Sequence, residues 1–233
     1  MKHWMRHACA LAALWWAAGG ALAADSAENF EVSAANLLVV LRETPGANKQ
    51  DEALQPFGPV TARLADGRNF RFEPSWYQYL GDMHLRLVFD GDRNVQSAVP
   101  EDLLQLHLTP EQALVQAIDN LRRRYGAPVA QPWTGGLMLV HGRSPDLASS
   151  YFLDREFWLD QLQQHPGGLV AAVPRRGSVV FAPADDEGAV TSLRFSAAVL
   201  YAGTEDNRVS SGLYLFKDGR WSVFQSPQAL LSH

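Results

Sequence analysis

The chain has 233 residues, 47% hydrophobic and 19% charged, with a formal net charge of −5 and one cysteine, Cys9. This negative balance disfavours non-specific binding to nucleic acid or anionic membranes, both of which need a basic field. The composition is that of a folded globular protein without low-complexity tracts.

The first residues read as an export leader. Lys2 and Arg6 supply a short positive segment, and residues 8–18 form an apolar core rich in Ala, Leu and Trp. Gly19 and Gly20 break it, and Ala21-Leu22-Ala23 gives the small-x-small pattern of a signal peptidase site. The apolar core falls short of the ~20 residues that span a bilayer, so residues 1–23 are expected to be cleaved rather than retained as an anchor. Cleavage removes Cys9 and leaves a thiol-free chain, 24–233, of about 210 residues. A chain of that size buries roughly 70% of its unfolded surface and needs no staples. Disulfides, cysteine–zinc sites and thiol catalysis are thereby excluded. The expected location is the periplasm or the medium, with no membrane span after cleavage.

Beyond the leader, Phe30, Ala34, Leu37, Leu38 and Leu41 have helical spacing, and Pro45-Gly46 ends the helix they predict. Residues 46–58 read as a polar linker. Two hairpins follow. The first, 60–65 and 69–72, turns at Asp66-Gly67; the second joins 83–89, with Leu85, Leu87 and Phe89 on one face, to 95–99 through Asp90-Gly91. Trp76-Tyr77-Gln78-Tyr79 between them reads as a short helical or irregular bridge. The strongest helix signal begins at Pro110, with Thr109 as N-cap and Gln112 closing a capping box. Its apolar stripe is Ala113, Leu114, Ala117, Ile118, Leu121 and Tyr125. Arg122, Arg123 and Arg124 complement the dipole of its last turn, and Gly126 and Pro128 terminate it.

In the second half, 137–140 and 150–153 read as strands, and 155–164 as a helix capped by Asp154, with Phe157, Trp158 and Leu162 as packing positions. Short apolar strands at 169–173 and 179–181 flank a turn over 174–178. A helix is expected over 189–200, and a last hairpin, 213–216 and 221–224, turns at Asp218-Gly219. Hairpins with interspersed single helices predict an α+β fold: an antiparallel or mixed β-sheet built from hairpins and packed by about four helices. We read 24–233 as one domain, or two closely packed lobes meeting near 126–136.

A set of short motifs in fixed order accompanies this pattern. They are Val99-Pro100-Glu101-Asp102-Leu103, Thr109-Pro110-Glu111-Gln112-Ala113 and Ala117-Ile118-Asp119-Asn120-Leu121, then Ala148-Ser149-Ser150 and Phe157-Trp158. Val170-Ala171-Ala172-Val173-Pro174-Arg175-Arg176, Leu213-Tyr214 and Asp218-Gly219-Arg220-Trp221 complete the set. Together they resemble the YtpQ-like family of uncharacterised bacterial proteins over roughly residues 60–225. The resemblance implies a fold type and no reaction. The chain departs from the family's pattern in carrying a leader and in having Gly177 where an Asp tends to follow the Arg.

Sites of known chemistry are scarce. The sequence has no glycine-rich dinucleotide loop, phosphate-cradling loop, His-Glu-x-x-His helix or nucleophile elbow, so we expect no cofactor. His84, His107, His141, His165 and His233 are never paired at ligand spacing, and no metal centre is expected. Asp90, Asp92, Asn94 and Glu101 match positions one, three, five and twelve of a calcium loop, but Val95 stands where the loop's hinge needs Gly. Arg175 and Arg176, at an exposed turn, could clamp a carboxylate or phosphate; the competing reading is a solvated turn with one Arg paired to Asp185 or Asp186. His141, beside Gly142 and Arg143, and Trp158 complete the candidate binding set. Trp76, Tyr77 and Tyr79 could form a ligand platform, but bulky aromatics in short connectors usually pack over a core edge. Both faces of the last hairpin are apolar, Tyr214 and Phe216 opposite Leu213 and Leu215, which places it centrally or at an interface.

No catalytic residue is assigned. The expectation is an exported, non-enzymatic module that binds a protein partner or a small anionic ligand. The alternative is a hydrolase pairing His141 with Asp154 or Asp146.

Overall fold

Leu37-Leu38-Val39-Val40-Leu41 form a strand and not the helix that their spacing predicts: β1 (Leu37–Glu43) follows a single 3₁₀ turn at Ala34–Asn36. A contiguous apolar run carries no period that separates helix from doubly buried strand. Burial on both sides decides for the strand, since all five side chains are at most 4% exposed. The structure, a computed structural model, describes residues 31–63, 66–91, 95–203 and 206–228. The leader, Cys9, Asp92, Asn94 and His233 lie outside the described residues.

Next come β2 (Gln55–Pro56), inside the segment read as a linker, and the hairpin β3 (Val60–Arg63) and β4 (Asn69–Phe72). The expected bridge at Trp76 is a strand, β5 (Trp76–Gln78), because it has a partner: β6 (Met83–Asp90) pairs with it antiparallel through Trp76↔Arg86 and Gln78↔His84. Then follow β7 (Val95–Ser97), α1 (Pro100–Gln105) and α2 (Pro110–Tyr125). Helix α2 has the expected capping box, with Gln112 N–H donating to Thr109 Oγ1 at 3.3 Å and Thr109 N–H to Gln112 Oε1 at 2.9 Å. After β8 (Val129–Pro132) and β9 (Met138–His141), residues Pro145–Leu153 wind as 3₁₀ helix where 150–153 had suggested a strand. Asp154 caps α3 (Arg155–Gln164), its Oδ1 accepting from Phe157 N–H at 3.1 Å. The remaining elements are β10 (Leu169–Arg175), β11 (Ser178–Pro183), α4 (Glu187–Ala202), β12 (Leu213–Lys217) and β13 (Arg220–Gln225).

The fold is α+β, and every strand pairing among the described residues is antiparallel. One sheet runs β1-β6-β5-β2, with β7 also on β6; a second runs β13-β12-β10-β11-β9-β8; β3 and β4 form a two-stranded ribbon of their own. The main core draws from both larger sheets: Leu37, Leu41, Leu85 and Phe89 join Phe152, Trp158, Phe181, Tyr214 and Phe216 in one cluster. On the opposite face of the six-stranded sheet, Val170, Ala172, Val180, Ala182 and Leu213 meet Ala189, Val190, Leu193 and Ala197 of α4. β12 is therefore apolar on both faces because both are covered, whereas β13 keeps an exposed face with Ser222 and Phe224. Side chains close the free border of β1: Asn120 Nδ2 of α2 donates to Ala34 O and Leu37 O at 2.7 and 2.8 Å, and Ser150 Oγ–H to Val39 O at 2.7 Å. No helix among the described residues is long and apolar enough to cross a membrane.

Candidate functional site

Strand alternation carries the site. β1 pairs β6 through Arg42↔His84 and Val40↔Arg86, so Arg42, His84 and Arg86 share one face, opposite the core-facing Leu41, Leu85 and Leu87. From the other side of β6, β5 adds Trp76 to the same face, directly across from Arg86. The Arg86 guanidinium carbon lies 3.7 Å from the Trp76 ring centroid, a cation–π contact. Arg86 Nε–H also donates to His84 Nε2 at 2.9 Å. An accepting Nε2 carries no proton, so the proton is on Nδ1, which donates to Thr44 Oγ1 at 2.8 Å.

Charge is unbalanced here. Arg42 and Arg86 are half-buried, and neither makes an ion pair among the described residues. Burial, and then the charge of Arg176, pulls Arg42 down to about 10; burial, and then Arg42, does the same to Arg86. Both remain cationic at neutral pH. Burial and the two guanidinium charges push His84 down to about 3, so the 2%-exposed imidazole is neutral. A negative charge placed between the arginines would offset the charge repulsion among these groups, though not the larger effect of burial. Aromatic rings continue outward from this point. Phe57 lies 5.1 Å from His84 and 6.1 Å from Trp76, Phe72 lies 6.2 Å from Trp76, and Phe70 stacks on Phe72 at 5.8 Å.

A second polar cluster anchors the start of β6. Tyr214 Oη–H donates to Asp82 Oδ1 at 3.1 Å, Ser210 Oγ–H to Tyr214 Oη at 2.6 Å, and Ser211 N–H to Asp82 Oδ2 at 3.3 Å. Thr44 N–H donates to Asp82 O at 2.6 Å. These bonds tie the turn before β6 to the loop before β12, and so hold the strand that carries His84 and Arg86. Asp82 is pushed up to about 6 by burial, which outweighs the lowering by Ser210, Ser211 and Tyr214.

The residues singled out from sequence are dispersed. Arg175 is exposed at the end of β10. Arg176 is half-buried and its Nη2 lies 3.2 Å from Asp146 Oδ1, so the acid partner is Asp146 rather than Asp185 or Asp186. Asp186 instead caps α4 by accepting from Ala189 N–H at 2.9 Å. Of the two arginines, Arg176 is the one whose charge reaches Arg42. His141 ends β9, half-buried opposite Val129, with no hydrogen bond to Asp146 or Asp154. Asp154 is occupied as the α3 cap, and its Oδ2 lies 3.5 Å from Arg122 Nε. Trp158 is 0% exposed, donates its indole N–H to Tyr151 O at 3.0 Å, and packs against Phe152, Phe157, Phe181 and Trp221. Asp90 accepts from Arg124 at 2.9 Å and from Tyr125 Oη–H at 2.8 Å. Among the described residues no cluster of three His, Cys, Asp or Glu is placed to hold a metal.

Sequence reasoning passed over Arg42 and Arg86 and set His84 aside with the other unpaired histidines. The signal for two of them was present: polar His84 and Arg86 alternate with Leu85 and Leu87 on a strand whose other face is fully apolar. Compared with known protein families, curated proteins and solved structures, the chain matches none.

Proposed function

We propose that this is an exported, non-enzymatic binding protein of the YtpQ-like kind, whose site takes the anionic group of a small ligand, a carboxylate or phosphate, between Arg42 and Arg86. The observation that carries the reading is the placement of two half-buried guanidinium groups on one sheet face without an acidic partner among the described residues. Guanidinium forks match carboxylate and phosphate oxygens with paired hydrogen bonds, and such charge-assisted bonds are the stronger kind. His84 contributes position rather than proton transfer: both ring nitrogens are engaged and the ring stays neutral. Export is supported by the leader pattern of Lys2, Arg6 and Ala21-Leu22-Ala23 and by the absence of cysteine after it.

Calorimetric titration of the mature protein with acetate and with inorganic phosphate tests the reading. Removing one charge-assisted contact costs roughly 1.5–3 kcal/mol, so Arg42→Gln and Arg86→Gln should each weaken the bound anion about 10- to 100-fold. If wild-type protein takes up no anion, or both variants bind as wild type does, the assignment falls.

A further inference from the structure

We infer that the anion is the head of an amphipathic molecule, whose apolar body lies along the inner face of the β3–β4 ribbon; this rests on the anion site just proposed. The register Val60↔Phe72 and Ala62↔Phe70 puts these four side chains on one face, with Thr61, Arg63, Asn69 and Arg71 on the other. Among the described residues the ribbon has no ladder to a third strand. Its ring contact with the body, among the described residues, is Phe72 to Trp76. From the arginines outward, each ring touches the next. Arg86 covers Trp76 at 3.7 Å, Trp76 meets Phe72 edge-on at 6.2 Å, and Phe72 stacks on Phe70 at 5.8 Å with 16° between planes. The series is at most about 16 Å long and ends at Phe70, which is 41% exposed.

A bare anion uses only the inner end of this series. A surface that is cationic at its buried end and aromatic all the way to solvent complements a molecule with the same polarity, an anionic head and one apolar chain. A single row of rings on a two-stranded ribbon is narrow, which fits one chain rather than a second protein surface. We therefore commit to a single-chain aliphatic carboxylate and take dodecanoate as the probe, below its micelle concentration, with acetate as the head alone.

Each methylene that leaves water should raise affinity roughly fourfold. Titration of the mature protein should give dodecanoate at least 100-fold tighter binding than acetate. Phe70→Ser, at an exposed position, should lower dodecanoate affinity at least tenfold, and Arg86→Gln should lower the affinity for both probes. Equal affinity for acetate and dodecanoate overturns the apolar track and leaves the anion site standing; binding of neither overturns both. Dodecanoate binding that ignores both substitutions overturns the placement. A dimer in sedimentation that dissociates on Phe70→Ser assigns the ribbon to a second copy and also overturns it.

Discussion

Arg86 Nε–H points at the unprotonated Nε2 of His84 at 2.9 Å, so the arginine and a proton on that nitrogen exclude one another. The folded imidazole titrates near pH 3 whereas an unfolded one titrates near ~6.5. Between those values the unfolded chain binds the extra proton, so this group's stabilisation is complete above pH ~6.5 and is lost as the pH falls toward 3. In NMR titration the His84 ring signals should stay fixed from neutral pH down to about pH 4. His84→Gln should flatten the acid side of the stability profile.

Two residues earlier, Asp82 acts with the opposite sign. Its folded carboxyl titrates at about 6, above the ordinary value of 3.8, so it is the native state that holds the extra proton between the two. Its stabilising contribution is full below pH ~4 and disappears as the pH rises through about 6. The groups facing it are Ser210, Ser211 N–H, Tyr214 and the carboxylate of Glu43, the last adding to the upward push. Thermal melts of Asp82→Asn should lose the decline between pH ~4 and ~6, and so expose the opposing slope of His84. Tyr214→Phe leaves Asp82 and Ser210 short of a buried partner and should cost about 1–3 kcal/mol by denaturant unfolding.

Gly81 is constrained twice. Its φ is +60°, and a Cβ there would lie 2.3 Å from Tyr214 Oη. Gly81→Ala should therefore destabilise by about 2 kcal/mol or more, combining left-handed backbone strain with a clash against a packed ring. Pairing it with Tyr214→Phe, which removes the nearest atom, should recover part of the loss in a double-mutant cycle.

Trp158 sits at the centre of the aromatic core, between Phe157, Phe181 and Trp221. Trp158→Ala should cost about 3–5 kcal/mol in urea unfolding.

Local chemistry made part of this fold legible in the sequence. Thr109 and Gln112 announce α2, Asp154 announces α3, and Asp66-Gly67 and Asp218-Gly219 announce their hairpins, because caps and tight turns are decided by residues a few positions apart. β1 was not legible, since Leu37 to Leu41 take their conformation from being enclosed on both faces. β5 was not either, because Trp76-Tyr77-Gln78 becomes a strand through its pairing with distant β6. The candidate site depends on that same long-range register. His84 and Arg86 announce a shared face, but the arrival of Arg42 opposite His84 follows from the β1–β6 pairing alone. Arg175 and Arg176 looked like a pair because they are neighbours in sequence, yet Arg176 is committed to Asp146.

The plugs at Leu37 and Val39 have a meaning beyond local bonding. An apolar border strand with free carbonyls is a template on which a stray chain can grow, the usual start of fibrillar association. Asn120 and Ser150 come from a helix and a 3₁₀ segment, neither of which can propagate a ladder, and their side chains occupy the acceptors a newcomer would need. Resistance to self-templating is thus stored in two small polar residues that lie outside the strand they protect.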